Sequence, residues 1–437
     1  MKKYFKIISI CLVSIISFTS CSGNNEDAQT EALKKNLIPI KTVEAGSGLD
    51  DLMPLKEILK DKKIIAIGEA THGTSEFFKM KHRFFEFLVE EMGYRIFTME
   101  VDGGSGQVIN DYILNGKGTA TKALKATKFF TSNNMEVKEM LEWTKDYNNN
   151  PSHKEKIKFY GFDMQFISDT LPKLSFYLGK IDKDLEKEAE QLLYPLYNSN
   201  IMNLTSEEKS DLQNKAEKLK VKLEENKNKF SSDKLKNDYE MALWNFNLVI
   251  QYINYNSLGG STPSLFAKQS NLRDKYMAEN VKWILDHEHE TGYDKIMLWA
   301  HNWHVSYYSE GFTYMGSLLK NIYKYKYYSI GFDFSKGSFY AQDLNSLIMK
   351  IFTINNNDPR YLCYVFDKTD IPILFLDFKS SSKNKLLDDL LSKEQYIHMI
   401  GARYDDKNEQ FTSPLYPPNK LFDGLIYIKE TTASTIY

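Results

Sequence analysis

The stretch from Ile64 to Gly73 constrains the fold more than any other, because an apolar, strand-like run ends there in a polar turn flanked by glycines. A helix is predicted immediately afterwards, over Ser75–Met92, because its apolar residues recur at helical spacing and Gly93 provides a C-terminal stop. Tyr94–Met99 is the next predicted strand. A strand, a helix and a second strand in this order predict a βαβ unit, and therefore a parallel sheet of the α/β class.

Other short apolar segments predict further strands of the same sheet. These are Lys156–Gly161, Lys295–Trp299 and Tyr327–Gly331, with Ile371–Leu376 and Leu425–Lys429 as later candidates. From about residue 169 to 256 the strand signals almost disappear, and Glu/Lys-rich periodic runs such as Ser206–Lys227 and Ser232–Tyr255 indicate helices. The prediction is an α/β domain over residues 36–437, with a central, mostly parallel sheet flanked by helices and an inserted helical hairpin or lobe at about 169–256.

The first residues of the chain have the pattern of a bacterial export signal. Lys2 and Lys3 precede an apolar run, Ile7–Phe18, and small residues then lead to Cys21. This pattern resembles a lipobox, so residues 1–21 are predicted to be a lipoprotein signal peptide with Cys21 as the lipidated residue; a plain signal peptide cut nearby is the alternative. Residues 22–35 are polar and are predicted to be a flexible tether. The expected location is the bacterial cell envelope, with the protein exported and anchored to a membrane.

Charge and cysteine content exclude two other classes of protein. The formal net charge is −2 and no basic stripe is visible, which argues against a nucleic-acid partner. Of the three cysteines, Cys11 belongs to the signal and Cys21 would carry lipid, which leaves only Cys363. A disulfide framework is therefore not expected, and the fold must depend on its core.

Acidic, imidazole and amide side chains follow each of the better-defined strands. They are Glu69 and His72, Glu100 and Asp102, Asp163 and Gln165, His301 and His304, and Asp333. In open α/β sheets the ligand lies outside the carboxyl ends of the strands. The sequence therefore predicts a polar site that gathers at this edge of the sheet.

Two pairs of these residues, together with Arg273 on a predicted helix, have a clear chemical role open to them. His72 can take a proton from water near neutral pH, and Glu69 can fix its tautomer; the alternative is that Glu69 caps the next helix. His301 or His304 could stabilise an oxyanion or protonate a leaving group, although both could simply pack beside tryptophans. Arg273 could stabilise negative charge or form a structural ion pair.

Several familiar catalytic motifs do not occur. The glycine-rich run Gly103–Gly106 leads into Gln107 and does not form a nucleophile elbow, and no P-loop or His-Glu-x-x-His motif is found. The run His287–Glu290 is interpreted as charged surface. Attack by an activated water is therefore the expected chemistry. Metal assistance is the alternative, with His72, Glu69, Glu100 and His301 as candidate ligands.

Four motifs, in order along the chain, resemble the erythromycin esterase family. They are Gly68-Glu69-Ala70-Thr71-His72-Gly73-Thr74 with Glu76-Phe77-Phe78, then Phe159 to Gln165, then Arg273-Asp274 with Met277 to Asn280, and finally Trp299-Ala300-His301-Asn302 with His304-Val305. The resemblance implies an α/β core with a helical insertion, and hydrolysis of a lactone ring without a metal or other cofactor.

The same resemblance implies roles for individual residues. His72 is implied to be the general base, with Glu69 as its partner and Glu100 as an acid of the site. Arg273 and His301 are implied to complete the catalytic set, and His304, Asp163, Gln165 and Asn302 are expected to bind substrate. No metal site and no cofactor are expected.

The predicted function is hydrolysis of a small-molecule carboxylic ester or lactone by a membrane-tethered enzyme. Macrolides are one candidate substrate and not the favoured one, because an exported enzyme cannot easily protect cytoplasmic ribosomes. Two alternatives stay open. The first is a non-catalytic lipoprotein that binds a small ligand or a metal, and the second is a metal-dependent hydrolase.

Overall fold

The computed structural model of the chain describes residues 21–230, 233–259, 262–308 and 310–437. The predicted signal peptide, apart from Cys21, lies outside the described residues. The strands are β1 (Ile38–Pro39), β2 (Ile64–Ile67), β3 (Ile96–Asp102), β4 (Lys158–Asp163), β5 (Ile296–Trp299), β6 (Tyr327–Asp343), β7 (Met349–Asn355), β8 (Ile373–Asp377), β9 (Gln395–Tyr396), β10 (Arg403–Tyr404), β11 (Leu415–Tyr416) and β12 (Gly424–Thr431).

Helices connect and cover these strands. They are α1 (Cys21–Asn36), α2 (Leu55–Leu59), α3 (Ser75–Met92), α4 (Gly103–Asn115), α5 (Ala120–Ala126), α6 (Met135–Asn149), α7 (Thr170–Ile181), α8 (Lys183–Leu192), α9 (Tyr194–Asn198), α10 (Ser206–Glu225), α11 (Asp233–Ser257), α12 (Pro263–His289), α13 (Asn302–Val305), α14 (Met315–Tyr323), α15 (Leu362–Asp367), α16 (Phe378–Ser381), α17 (Lys385–Ser392) and α18 (Pro418–Leu421). Short 3₁₀ turns occur at Ile201–Asn203, Lys227–Phe230, Lys324–Lys326 and Glu409–Thr412.

The main sheet has the order β1-β8-β12-β6-β2-β5-β3-β4, with β7 and β10 also paired to β6. The run from β12 through β6, β2, β5 and β3 to β4 is parallel throughout, whereas β8 pairs antiparallel with β12 and with β1. The predicted α/β class with a mostly parallel central sheet is therefore confirmed.

The sheet is covered on both faces, which explains why its central strands are continuously apolar. Successive residues of β2 point to opposite sides: Ile65 and Ile67 belong to one core cluster, and Ile64 and Ala66 belong to another. The helix α3 covers the first face with its phenylalanines and ends at Gly93, whose φ of 72° gives the left-handed C-cap. The predicted bounds of α3 match the structure.

The segment predicted as a helical insertion is helical throughout its described residues. Helices α7 to α11 occupy it, and they share a separate apolar cluster that includes Leu178, Leu212, Leu219 and Phe246. The next helix, α12, returns to the sheet, because Met277, Val281 and Ile284 pack in the same cluster as Ile64. This helix carries Arg273 to the carboxyl edge of the strands.

Three local predictions differ from the structure. Residues 22–35 were predicted to be a tether but lie in α1, where Ala32 and Leu33 are buried in the core. The run His287–Glu290 includes the end of α12 rather than a surface loop, and Glu288 is fully buried with Tyr160 and Lys158 donating to it. Strand β6 continues well beyond Gly331, so Asp333 lies inside a strand and not at its end. Among the described residues, no helix combines the length and apolar character needed to cross a membrane.

Candidate active site

Four neighbouring parallel strands bring the predicted polar residues together. Strands β2, β5, β3 and β4 run side by side. Glu69 and His301 follow β2 and β5, whereas Glu100 and Asp163 are among the last residues of β3 and β4. The site therefore forms where the topology predicts a ligand site in an open α/β sheet. We describe it as two halves: the β2 half contains Glu69, His72 and Lys81, and the Arg273 half contains Glu100, Asp163, Arg273 and His304.

The carboxylate of Glu69 organises the β2 half. Its Oε1 lies 2.6 Å from Nδ1 of His72, and its Oε2 accepts from Nζ of Lys81 at 2.6 Å and from the indole N–H of Trp299 at 3.0 Å. Glu69 is only 3% exposed. The N-cap of the following helix is Thr74. Glu69 therefore does not cap that helix, and its carboxylate is committed to the imidazole.

The contact with Glu69 fixes how His72 can act. A carboxylate accepts hydrogen bonds, so Nδ1 of His72 carries the proton that points at Glu69 and Nε2 presents its lone pair. The side chain of His72 is 14% exposed and faces a cavity of about 20 Å³ that Glu69 and Glu100 also line. A cavity of this size has room for about one water molecule. The geometry thus offers a base and a water-sized space beside it.

Lys81 is a site residue that the sequence reasoning missed. It is fully buried, donates to Glu69 and, at 3.3 Å, to the carbonyl of Ala300, and its Nζ lies 4.5 Å from the ring centroid of Trp299. Burial lowers the pKa of Lys81 to about 8, although the negative charge of Glu69 opposes this shift. One signal could have found it: Lys81 stands four residues after Phe77 and four before Phe85, within the apolar stripe of the predicted helix.

The Arg273 half is a network of ion pairs. The guanidinium of Arg273 donates to Asp163 through Nε at 3.1 Å and through Nη2 at 2.6 Å, and Nη2 also reaches Oε1 of Glu100 at 2.7 Å. Burial disfavours the ionised form of Glu100, but the positive charges of His304 and Arg273 hold its pKa well below the usual range. Glu100 is therefore a permanent anion at the edge of the cavity.

His304 is a fixed cation in this network. Its Nδ1 lies 2.8 Å from Asp274, and its Nε2 lies 3.3 Å from Glu100. Although burial acts in the opposite direction, these two carboxylates raise the pKa of His304 to about 10. An imidazolium with both N–H groups directed at carboxylates cannot accept a proton near neutral pH. His304 therefore supplies charge rather than base catalysis.

His301 has both ring nitrogens occupied. Its Nε2–H donates to the carbonyl of Ile400 at 2.9 Å, and its Nδ1 accepts from the backbone N–H of Trp303 at 3.3 Å. Burial, with a contribution from nearby His72, holds the pKa of His301 well below its usual value. The ring lies 4.8 Å from that of His72, and the backbone N–H donates to Glu100 at 3.0 Å. His301 thus packs against His72 and orients Glu100 without a free proton site.

The residues expected to bind substrate are divided between the site and the interior. Asp163 is fully buried beneath Arg273, and Gln165 donates to it at 2.7 Å from a less buried position. Asn302 does not reach the cavity: its amide donates to the carbonyl of Phe332 at 2.8 Å and accepts from the N–H of the same residue at 3.1 Å. Asn302 therefore ties the turn after β5 to β6.

Asp102, at the end of β3, is a further carboxyl group of the site, and its surroundings disfavour the ionised form. Burial, reinforced by the charge of Asp163, raises its pKa well above the usual range. Its Oδ1 accepts from the N–H of Phe166 at 2.7 Å. Asp102 therefore contributes a hydrogen bond that positions the loop after β4, and not a second negative charge.

The fold and the residues at the carboxyl edge of its parallel strands define an α/β protein with a histidine–carboxylate pair beside a water-sized cavity. The family model for erythromycin esterase matches residues 89–431. Erythromycin esterase type II of Escherichia coli is 30% identical over 334 residues, which covers 69% of this chain and 76% of that protein. The chain belongs to the erythromycin esterase family.

Two further similarities extend over almost the whole chain. A Bacillus subtilis (strain 168) protein named as a hydrolase, YbfO, is 24% identical over 461 residues, covering 97% of each chain. A solved structure of a Bacillus cereus protein superposes with a TM-score of 0.85 at 25% identity, covering 94% of this chain and 99% of that one. The family and the relatives' names support a hydrolase of the esterase type.

Proposed function

We propose that the chain hydrolyses a carboxylic ester or lactone by direct attack of water, with His72 as the general base. The observation that carries the proposal is the contact of 2.6 Å between Glu69 and Nδ1 of His72, which leaves Nε2 without that partner in a side chain that lines a cavity of water size. A base must lie within hydrogen-bonding reach of the proton that it removes. A water in this cavity meets that requirement.

The chemical steps follow from the two halves of the site. Nε2 of His72 takes a proton from water as the oxygen attacks the carbonyl carbon, and the imidazolium that forms is stabilised by the Glu69 carboxylate. The tetrahedral intermediate carries a negative oxygen, for which Arg273, 16% exposed, is the cation assigned here. The proton on His72 then passes to the leaving alkoxide, which gives a carboxylic acid and an alcohol.

The size of the cavity also bears on the substrate. A volume of about 20 Å³ holds the attacking water but not an ester, so the substrate must approach from the open side and place only its carbonyl at the edge. Erythromycin is one candidate substrate because a relative bears its name. The proposed substrates are carboxylic esters and lactones as a class.

A screen of esters and lactones, erythromycin among them, tests the function. The wild-type chain should hydrolyse at least one of them, and His72→Ala should lower kcat/KM by about 10³-fold, which is typical of losing a general base. His289→Ala is the matched control, because His289 is exposed at the end of α12 and should leave the rate unchanged. Circular dichroism should show that both variants keep the fold. Wild-type turnover by His72→Ala would contradict the mechanism.

We also propose that the protein is exported and anchored to a membrane of the cell envelope through lipid on Cys21. The support is the sequence of residues 1–21, in which Lys2 and Lys3 precede an apolar run and a cysteine follows small residues. Cell fractionation tests it: the wild-type chain should sediment with membranes, and Cys21→Ser should not. Equal membrane association of the two chains would contradict the lipid anchor.

A further inference from the structure

A second cluster of chemically reactive side chains lies behind the sheet edge, where neither the sequence motifs nor the proposed mechanism makes use of it. It consists of Asp333 in β6, Cys363 in α15 and His398 in the segment after β9. All three are fully buried. A carboxylate oxygen, the thiol sulfur and a ring nitrogen lie within 4.8 Å of one another. We define these three residues as the Cys363 cluster.

One oxygen of the cluster has no protein partner among the described residues. Oδ1 of Asp333 accepts from the backbone N–H of Phe334 at 2.9 Å and lies 2.7 Å from Nδ1 of His398. Oδ2 of the same carboxylate is buried without a hydrogen bond. An unsatisfied buried carboxylate oxygen costs a substantial free energy, so its presence calls for a cation or another donor that completes it.

A nucleophilic role for Cys363 does not fit this environment. Burial, assisted by the charge of Asp333, raises the pKa of the thiol to about 11. Reactive cysteines are thiolates in partly exposed, electropositive surroundings, whereas buried ones with raised pKa values are inert. A Cys-His-Asp arrangement with a protonated, inaccessible thiol is therefore not a catalytic triad.

We propose that the Cys363 cluster is a structural binding site for a divalent transition-metal ion of the zinc type. Thiolate sulfur, imidazole nitrogen and carboxylate oxygen form the donor set that zinc selects, and structural zinc sites are closed and four-coordinate. The three side chains supply three donors, and a water molecule would complete the coordination. Glu409, whose buried Oε1 has no hydrogen bond, lies 3.6 Å from Nε2 of His398, on the side of the ring away from Asp333, and is therefore not counted as a ligand.

Neighbours of His398 separate the cluster from an open cavity. A cavity of about 630 Å³ opens beside it, lined by groups that include Asn356, Tyr361 and Glu409. The side-chain nitrogen of Asn356 is 3.2 Å from Nε2 of His398, and the ring of Tyr361 stacks on the imidazole at 4.8 Å. His398 is itself fully buried and does not line this cavity, so an ion would reach it from this side after Asn356 and Tyr361 move.

The position of the cluster indicates what the ion would stabilise. The carbonyl of His398 accepts from the amide of Asn302 at 3.3 Å, and the carbonyl of Ile400 accepts from His301 at 2.9 Å. An ion bound to His398 would fix the segment that holds His301 beside His72. Binding forms metal–sulfur, metal–nitrogen and metal–oxygen bonds, and both the thiol proton and the proton held between His398 and Asp333 are released to solvent. Affinity should therefore rise with pH.

Metal analysis of the full chain, purified from zinc-supplemented cultures, tests the proposal. We expect about one zinc ion per wild-type chain and a clear loss in Cys363→Ser, whereas Cys21→Ser, which removes a cysteine outside the cluster, should keep the ion. Wild-type zinc content in Cys363→Ser, or none in the folded wild-type chain, would overturn the site.

Cobalt binding identifies the ligand atoms. After treatment with a chelator, Co²⁺ added to the wild-type chain should produce the near-ultraviolet absorption of a cobalt–thiolate bond, and added Zn²⁺ should abolish it. Asp333→Asn, which changes little in shape, should keep this band but bind Co²⁺ at least about tenfold more weakly. Zn²⁺ should also raise the melting temperature of the wild type and not that of Cys363→Ala. An unchanged Co²⁺ affinity in Asp333→Asn would mean that the cluster is only a buried ion pair.

Discussion

The two halves of the site contain similar charged groups but differ in how free those groups are to react. In the β2 half, His72 has one nitrogen held by Glu69 and the other facing a water-sized cavity. In the Arg273 half, Arg273, Glu100 and His304 are each held by two charged neighbours. The first half can therefore exchange a proton, whereas the second supplies a constant field. The separation places fixed charges close to His72 without occupying its second ring nitrogen.

The largest effect is expected in the Arg273 half and should be on stability. Arg273→Met would leave Asp163 buried without its cation and Glu100 paired with His304 alone, and should lower the free energy of unfolding by about 3 kcal/mol. Arg273→Lys should lose less stability than Arg273→Met, because lysine keeps the positive charge. It should still lose some, because lysine lacks the forked set of donors of the guanidinium. Urea denaturation measures both.

Two further variants show whether the loss at Arg273 is electrostatic. The double variant Arg273→Met/Asp163→Asn should recover part of the stability, because it removes one of the uncompensated carboxylates. Arg360→Met is the control, since Arg360 is exposed and its ion pair with Asp358 should contribute less than about 1 kcal/mol. Equal midpoints for Arg273→Met and Arg360→Met would mean that the Arg273 half is not a structural network.

A smaller effect is expected in the β2 half, and it should be on rate. Glu69→Gln keeps the size of the side chain, but its amide can hold His72 in the tautomer whose Nε2 carries the proton. We expect kcat to fall by about 10²-fold, equivalent to about 2.7 kcal/mol, with little change in KM. Glu57→Gln, an exposed substitution, serves as the control. If Glu69→Gln kept the wild-type kcat, Glu69 would not set the tautomer of His72.

The same two halves show what could be predicted from the sequence. The bounds of α3 follow from the local pattern, and so does the presence of a strand on either side of it, although β3 is observed at Ile96–Asp102 and not at the predicted Tyr94–Met99. The meeting of Glu69, Glu100 and Asp163 at one edge follows from the predicted order of strands. Lys81 was missed because a lysine in a helix is exposed by default, and its partner Glu69 becomes visible only after packing.

The Asp333 prediction failed for a related reason. The sequence after Gly331 contains Asp333, Ser335 and Gly337, which interrupt the apolar pattern, so the predicted strand stopped early. In the structure β6 continues because β12 and β7 supply hydrogen-bonding partners that are distant in sequence. Asp333 is thereby placed in the interior with Cys363 and His398 instead of at the edge that carries Glu69 and Glu100. Pairing between distant strands is not encoded in a local pattern.

The smallest effect is on how stability depends on pH, and its sign differs between the two halves. Burial keeps the pKa of Lys81 at about 8, below the 10.5 of an unfolded chain. The buried charge of Lys81 therefore destabilises the folded state, and this destabilisation is relieved as pH rises from 8 towards 10.5. The pKa of His304 is about 10, above the unfolded 6.5, so its stabilisation is full below pH 6.5 and is lost as pH rises through 10. Between pH 8 and pH 9 the two groups therefore act in opposite directions, each by about 1 kcal/mol.

Unfolding free energies at pH 8 and pH 9 measure this difference. The stability of the wild type relative to Lys81→Met should increase over this interval, and its stability relative to His304→Gln should decrease. Both variants keep approximately the shape of the side chain that they replace. If the two differences changed in the same direction, the charges of the two halves would not be set as the structure indicates, and the assignment of a fixed imidazolium to His304 would be wrong.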